Sequence, residues 1–177
     1  GFNQAFRSLI PESVAGANTG AKFTTYGVSW EQKLASRTYL NLLGEWLESD
    51  VERTHGAFEF VNLVGPEVST LNERLSFREQ SASLSLHQLI GSDWAFGATY
   101  RISQARLKNN FTDISDDLMD ESGFPARTTI SGTMQTLDLH AIYQIRCGFF
   151  ARLNGTWTHQ NNDGYQIERP SEDFWQW

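Results

Sequence analysis

Two pairs of residues carry the types and spacing that catalysis could use. Ser85 and His87 lie at i, i+2, as do Asp138 and His140. A hydroxyl nucleophile needs an imidazole base, and the imidazole needs a carboxylate to orient it, so a relay assembled across strands is conceivable. Ser85, however, belongs to a run of small polar residues, Ser81, Ser83 and Ser85. No nucleophile-elbow motif accompanies it, so the reading is non-enzymatic. A second cluster, Asp113, Asp116, Asp117, Asp120 and Glu121, suits hard cations in ligand type. It lacks the spacing and the glycine of an EF-hand loop, and reads as a solvated loop without bound metal. Cys147 is the single cysteine, which excludes an internal disulfide and a zinc site built on several thiolates. Asn110-Phe-Thr112 and Asn154-Gly-Thr156 match the glycosylation pattern without further support. The sequence implies no cofactor.

The chain has 177 residues, with 14 Lys plus Arg against 21 Asp plus Glu, a net charge of −7. A broad basic surface for nucleic acid is therefore not expected. The mean hydropathy of −0.42 and the lack of any run near the ~20 apolar residues of a spanning helix exclude a bundle of membrane helices. A membrane β-barrel, whose strands are only half apolar, stays open. Aromatic residues make up 13% of the chain, with six Trp. The chain opens strand-like and stops at Trp177 within another apolar-aromatic run, which reads as a segment of a longer protein.

The elements that would position these residues are strands. In Ser81 to Ser103, Ala82, Leu84 and Leu86 alternate with Ser81, Ser83, Ser85 and His87. After Gly91, Ser92 and Asp93 the alternation restarts, with Trp94, Phe96, Ala98, Tyr100 and Ile102 on one face. Side chains switch faces at every strand residue, so this is an antiparallel hairpin. The same alternation predicts strands over 22–33, 38 to about 53, 73–88, 94 to about 108, 128–144 and 149 to about 160, with partial ones at 2–9 and 174–177. Leu43 and Leu47 break the polar face of the second of these. No helical periodicity persists, so the class is all-β: an antiparallel up-and-down meander of about six complete strands plus two partial ones, in one domain spanning 1–177.

The two faces fit either a soluble sheet or a membrane barrel, and three regularities favour the barrel. Connections are expected to alternate short (34–37, 89–93, 145–148) with long (54–72, 109–127, 161–173), as periplasmic turns and extracellular loops do. Strands running in one direction begin at nearly equal spacing, near Thr38, Trp94 and Phe149. Aromatic residues bracket the apolar face: Trp94, Tyr143 and Phe149 beside the short turns with Trp30 a little higher, and Trp46, Tyr100 and Trp157 six to eight residues further along. At about 3.4 Å per residue and a tilt near 40°, the girdles stand about 16–21 Å apart, against a lipid band of ~25 Å.

The hairpins EQKLASRTYLNLLGEW, SLSLHQLIGSDWAFGATYRIS and LDLHAIYQIRCGFFARLNGTW, with DFWQW near the end, give the chain its resemblance to the C-terminal portion of a bacterial outer-membrane β-barrel. The type resembled is the TonB-dependent receptor or large porin. The resemblance implies outer-membrane localisation, contact with lipid and lipopolysaccharide, uptake of a solute, and an energy-coupling periplasmic partner for the first type. The polar wall of the lumen would include Glu31, Glu45, Glu79, His87, Arg101, Asp138, His140 and Arg152. These side chains would either select solutes by charge or form a cross-strand network that holds the wall together. A non-conducting anchor or adhesin barrel and a soluble ligand-binding barrel are the alternatives.

Overall fold

The computed structural model describes residues 22–34, 37–61, 65–114, 125–145, 147–165 and 171–177. They form seven strands: β1 (Phe23–Leu34), β2 (Thr38–Val61), β3 (Gly65–Ile90), β4 (Trp94–Phe111), β5 (Arg127–Gln144), β6 (Phe150–Asp163) and β7 (Glu172–Gln176). All neighbours are antiparallel, and the strands lie in one sheet in sequence order. β1 and β7 are its edges and do not pair with one another, so the sheet is not closed. The described residues contain no helix. The segments predicted at 2–9 and 10–21 lie outside the described residues, as does the acidic cluster beyond Asp113.

The alternation read from the sequence becomes two faces because the ladder keeps one register per strand pair. One row runs Trp30, Leu42, Leu84, Tyr100, Leu137, Trp157 and Trp175 across all seven strands. The adjacent row on the other face runs Glu31, Asn41, Ser85, Thr99, Asp138, Thr156 and Gln176. Residues that face each other across a ladder share a side, so each row is uniform in environment. The turns between β1 and β2 and between β3 and β4 are linked, Arg37 donating through Nη1 to the Gly91 carbonyl at 2.9 Å. Gly91 has φ +62°, which a tight turn needs and a side chain disfavours.

One expected loop is absent. Instead of a long connection over 54–72, β2 and β3 continue as a hairpin of 24 and 26 residues joined through residues 62–64. Here Thr54 donates to Asn72 at 2.8 Å, and Arg53 pairs with Glu73 directly opposite. Polar cross-strand pairs sustain a ladder as well as apolar ones do, so the loss of apolar alternation did not mark the end of the strands. The regular alternation of short and long connections therefore fails at this hairpin.

The packed core lies on the polar face, beyond its hydrophilic rows. Val51, Leu75, Phe77, Ala105 and Leu107 are buried together, with Leu47 and Ile130 against them. Leu47, which looked like a break in the pattern, is partly buried against this cluster. The Phe23 ring meets Phe77 edge-on at 6.3 Å. Above this level the two faces exchange character, because the opposite side carries Glu48, Asp50, Glu52, Arg74, Arg78, Arg106 and Lys108. Phe77 is 1% exposed, whereas Val28 on the apolar face is 72% exposed. Phe77→Ala is expected to lose about 3–5 kcal/mol in equilibrium denaturant unfolding. Val28→Ala should change the same measurement by less than about 1 kcal/mol, and equal losses would show that the cluster is not the core.

Candidate functional site

The eight polar residues singled out by the alternation all fall on one face of the sheet by register. Most are tied into short cross-strand or same-strand contacts. Asn41 donates to Glu31 at 2.9 Å, Thr156 to Asp138 at 2.7 Å, and Arg152 to Asn154 at 2.8 Å. Arg101 reaches Ser81 at 3.1 Å and the carboxylate of Glu45 at 3.4 Å, three strands being joined by one guanidinium. Glu79 is half-buried opposite Leu47 and Ala105.

His87 and His140 lie on β3 and β5, two strands apart, yet their ring centroids are 5.4 Å apart. They meet over Gly97 on the strand between them. A Cβ built on Gly97 would stand 2.0 Å from the His140 ring and 2.7 Å from His87 Nδ1. The missing side chain lets the imidazoles close over the backbone. No catalytic relay forms from these parts: Ser85 accepts from Thr99 at 3.0 Å and Asp138 from Thr156, with neither bonded to an imidazole. Among the described residues no three His, Cys, Asp or Glu side chains converge as metal ligands. What this face offers is a polar surface of interspersed charge.

The apolar face is the second component. Trp94 packs on Tyr143 at 4.4 Å and stacks with Phe96 at 5.5 Å beside the short turns. Trp30, Tyr100 and Trp157 share the row described above, while Trp46 lies opposite Tyr26 and Gln80, two row positions further on the same face. Phe149 precedes β6 and is exposed. The polar tips of these rings find partners towards the hairpin end: the Tyr100 hydroxyl donates to Gln135 at 2.8 Å and the Trp157 indole to Asp173 at 2.6 Å. The apolar run on β4 extends from Trp94 to Ile102 and gives way at Gln104. The eight steps from Trp94 to Ile102, at about 3.4 Å each and a tilt near 40°, correspond to about 21 Å.

Sequence reasoning passed over Glu73, which lies beyond the apolar band with a side chain only 3% exposed. It accepts from Arg53, lies 2.7 Å from His55 Nε2, and accepts from Asn109 at 2.6 Å. The signal was Arg53 and His55 at i, i+2 opposite a carboxylate, hidden because His55 fell in an expected loop that separated Arg53 from Glu73. Burial alone would raise the Glu73 pKa, but the hydrogen bonds from Arg53 and His55, the Arg53 charge and Asn109 together hold it below the ordinary carboxylate range. A carboxyl with a lowered folded-state pKa stabilises fully above its unfolded value and loses that contribution as pH falls through the folded one. Against Glu73→Gln, in a His55→Gln background, the parent should hold an advantage of about 1–3 kcal/mol at neutral pH. That advantage should shrink below about pH 4.5 in a pH series of unfolding free energies; a pH-independent difference would remove the ionised carboxylate from the account.

No protein-family model, curated protein or solved structure matches this chain.

Proposed function

We propose that this chain is part of an outer-membrane β-barrel that carries a solute across the bacterial outer membrane, of the TonB-dependent-receptor or porin type. The observation that supports it most directly is the apolar face. Large side chains there are exposed on every strand, including Tyr26 on β1, Trp46 on β2, Leu84 on β3, Phe96 on β4, Leu139 on β5, Leu153 on β6 and Trp175 on β7. A sheet in water conceals such a surface, since exposed apolar patches rarely exceed a few hundred Å². In a bilayer the same surface would be solvated by hydrocarbon, and a height of about 21 Å is close to the ~25 Å band of such barrels.

In this reading the polar face lines the lumen. Its charges of both signs, Glu45 with Arg101 and the His87–His140 pair, would meet the passing solute, and the chain acts by binding and conduction rather than catalysis. The open edges β1 and β7 would pair with further strands of the whole barrel, because unpaired strand edges cannot remain in hydrocarbon. The projecting β2–β3 hairpin would lie on the extracellular side. An energy-coupling partner would act from the short-turn side.

Leu139 lies opposite Ala98, midway along the apolar run of β4, and Leu84 lies one row away opposite Tyr100; both are partly exposed. Leu84→Arg or Leu139→Arg is expected to cost about 2–4 kcal/mol of folding stability in phospholipid vesicles. Ser83→Arg, on the other face, should cost clearly less. Unchanged folding in lipid for both leucine variants would sink the membrane assignment and favour a soluble sheet.

A further inference from the structure

Two of the chain's four histidines, His87 and His140, are brought together by the sheet. They belong to one row of the polar face, which runs Lys33, Tyr39, His87, Gly97, His140 and Asn154. Strands two apart in a sheet stand about 9.5 Å from one another. The rings reach a centroid separation of 5.4 Å because both side chains lean over β4. Both are half-buried, and among the described residues neither forms a hydrogen bond or an ion pair. The polar neighbours are engaged elsewhere. Lys33 lies over the Tyr39 ring at 5.5 Å, Asn154 accepts from Arg152, and Asp138 accepts from Thr156.

Gly97 permits the approach. A Cβ at that position would stand 2.4 Å from His140 Nε2 and 2.7 Å from His87 Nδ1, so both nitrogens hang over the same point of the β4 backbone. Glycine in a strand interior weakens the strand and often marks a place where another group comes close to the backbone. The two nitrogens are no more than about 5 Å apart, and a metal ion bound at about 2.0–2.1 Å from each spans up to about 4 Å. A small rotation of either ring closes that difference.

The donor set selects the ion. Imidazole suits zinc, copper and nickel, whereas calcium and magnesium require oxygen ligands. We propose that His87 and His140 form a two-imidazole site for a divalent transition-metal ion of this group, floored by Gly97, which clips β3 to β5 across β4. Among the described residues no third protein ligand joins them, so the remaining coordination positions are taken by water or by a donor group of a bound molecule. The site stands on the sheet alone and is independent of the membrane reading.

The test uses the full chain carrying His55→Gln and His159→Gln, so that His87 and His140 are the only histidines left. It is folded in detergent micelles at about pH 7.5, where imidazole is neutral. Cu(II), Ni(II) and Zn(II) are titrated separately by calorimetry, and electron paramagnetic resonance of the Cu(II) form counts coordinated imidazole nitrogens. The expected result is one saturable site per chain, tightest for Cu(II), with two imidazole nitrogens and a metal-dependent rise in the unfolding midpoint. Adding His87→Gln or His140→Gln should weaken binding at least about a hundredfold, beyond what the loss of an outer partner of a ligand costs. Gly97→Ala keeps both imidazoles and should weaken binding about tenfold by driving the His140 ring off the backbone. No saturable binding, fewer than two imidazole nitrogens, undiminished affinity in either histidine variant, or undiminished affinity in a folded Gly97→Ala would each overturn the proposal. Strand content and the metal-free unfolding midpoint are recorded for every variant, and the two histidine variants decide the outcome if Gly97→Ala does not fold. Two-nitrogen binding by a chain that does not insert into phosphatidylcholine vesicles keeps the metal site and discards the membrane reading alone.

Discussion

Every residue of this sheet takes its side from one constraint, the unbroken antiparallel register from β1 to β7. Because a strand has a two-residue period, slipping a single ladder by one position would carry its whole apolar set to the opposite face. No such slip occurs between Phe23 and Ser49 at one edge and between Thr156 and Gln176 at the other. The register places Trp30 in line with Trp175, six ladders away, and brings three strands within reach of Arg101. Seven short sequences with modest individual signals thereby become two coherent surfaces.

The core then follows from how far the strands run. A barrel band of ~25 Å uses about ten tilted residues, and β2 and β3 are more than twice that length. Beyond the apolar run one face carries Arg74, Arg78, Glu48 and Glu52, while the other closes over Phe77, Leu75 and Leu107. Glu73 sits at the edge of that cluster, and its ion pair with Arg53 and bond from Asn109 allow a carboxylate to be buried there. The burial on one face and the charge on the other are two results of the same extension.

Much of this was legible in the residues themselves. The alternation in Ser81 to Ser103 locates the β3–β4 hairpin and its turn, and the strand at Thr128 to Gln144 is found within one residue of β5. The side of each residue from Glu31 to Arg152 followed from the period alone. What stayed hidden was anything that alternation does not encode. Gly56, Gly65 and Pro66 looked like loop residues, yet the backbone there stays paired, Gly56 with Thr70, Gly65 with Val61 and Pro66 with Phe60. The contact of His87 with His140 depends on Gly97, a residue of an intervening strand, so it needed the register of two ladders at once. The apposition of Arg78 with Arg106 was equally invisible until β3 and β4 were aligned.

The exchange of polarity between the faces also sets a draught line. In the proposed setting, sinking by one row would drag Arg78 and Arg106 into hydrocarbon, and rising by one row would lift Trp94 and Tyr143 out of their interfacial layer. Both displacements would be opposed, so in that setting the sheet would float at one depth, as a hull does between its ballast and its buoyancy. The long hairpin above it would then be carried at a constant height over the membrane.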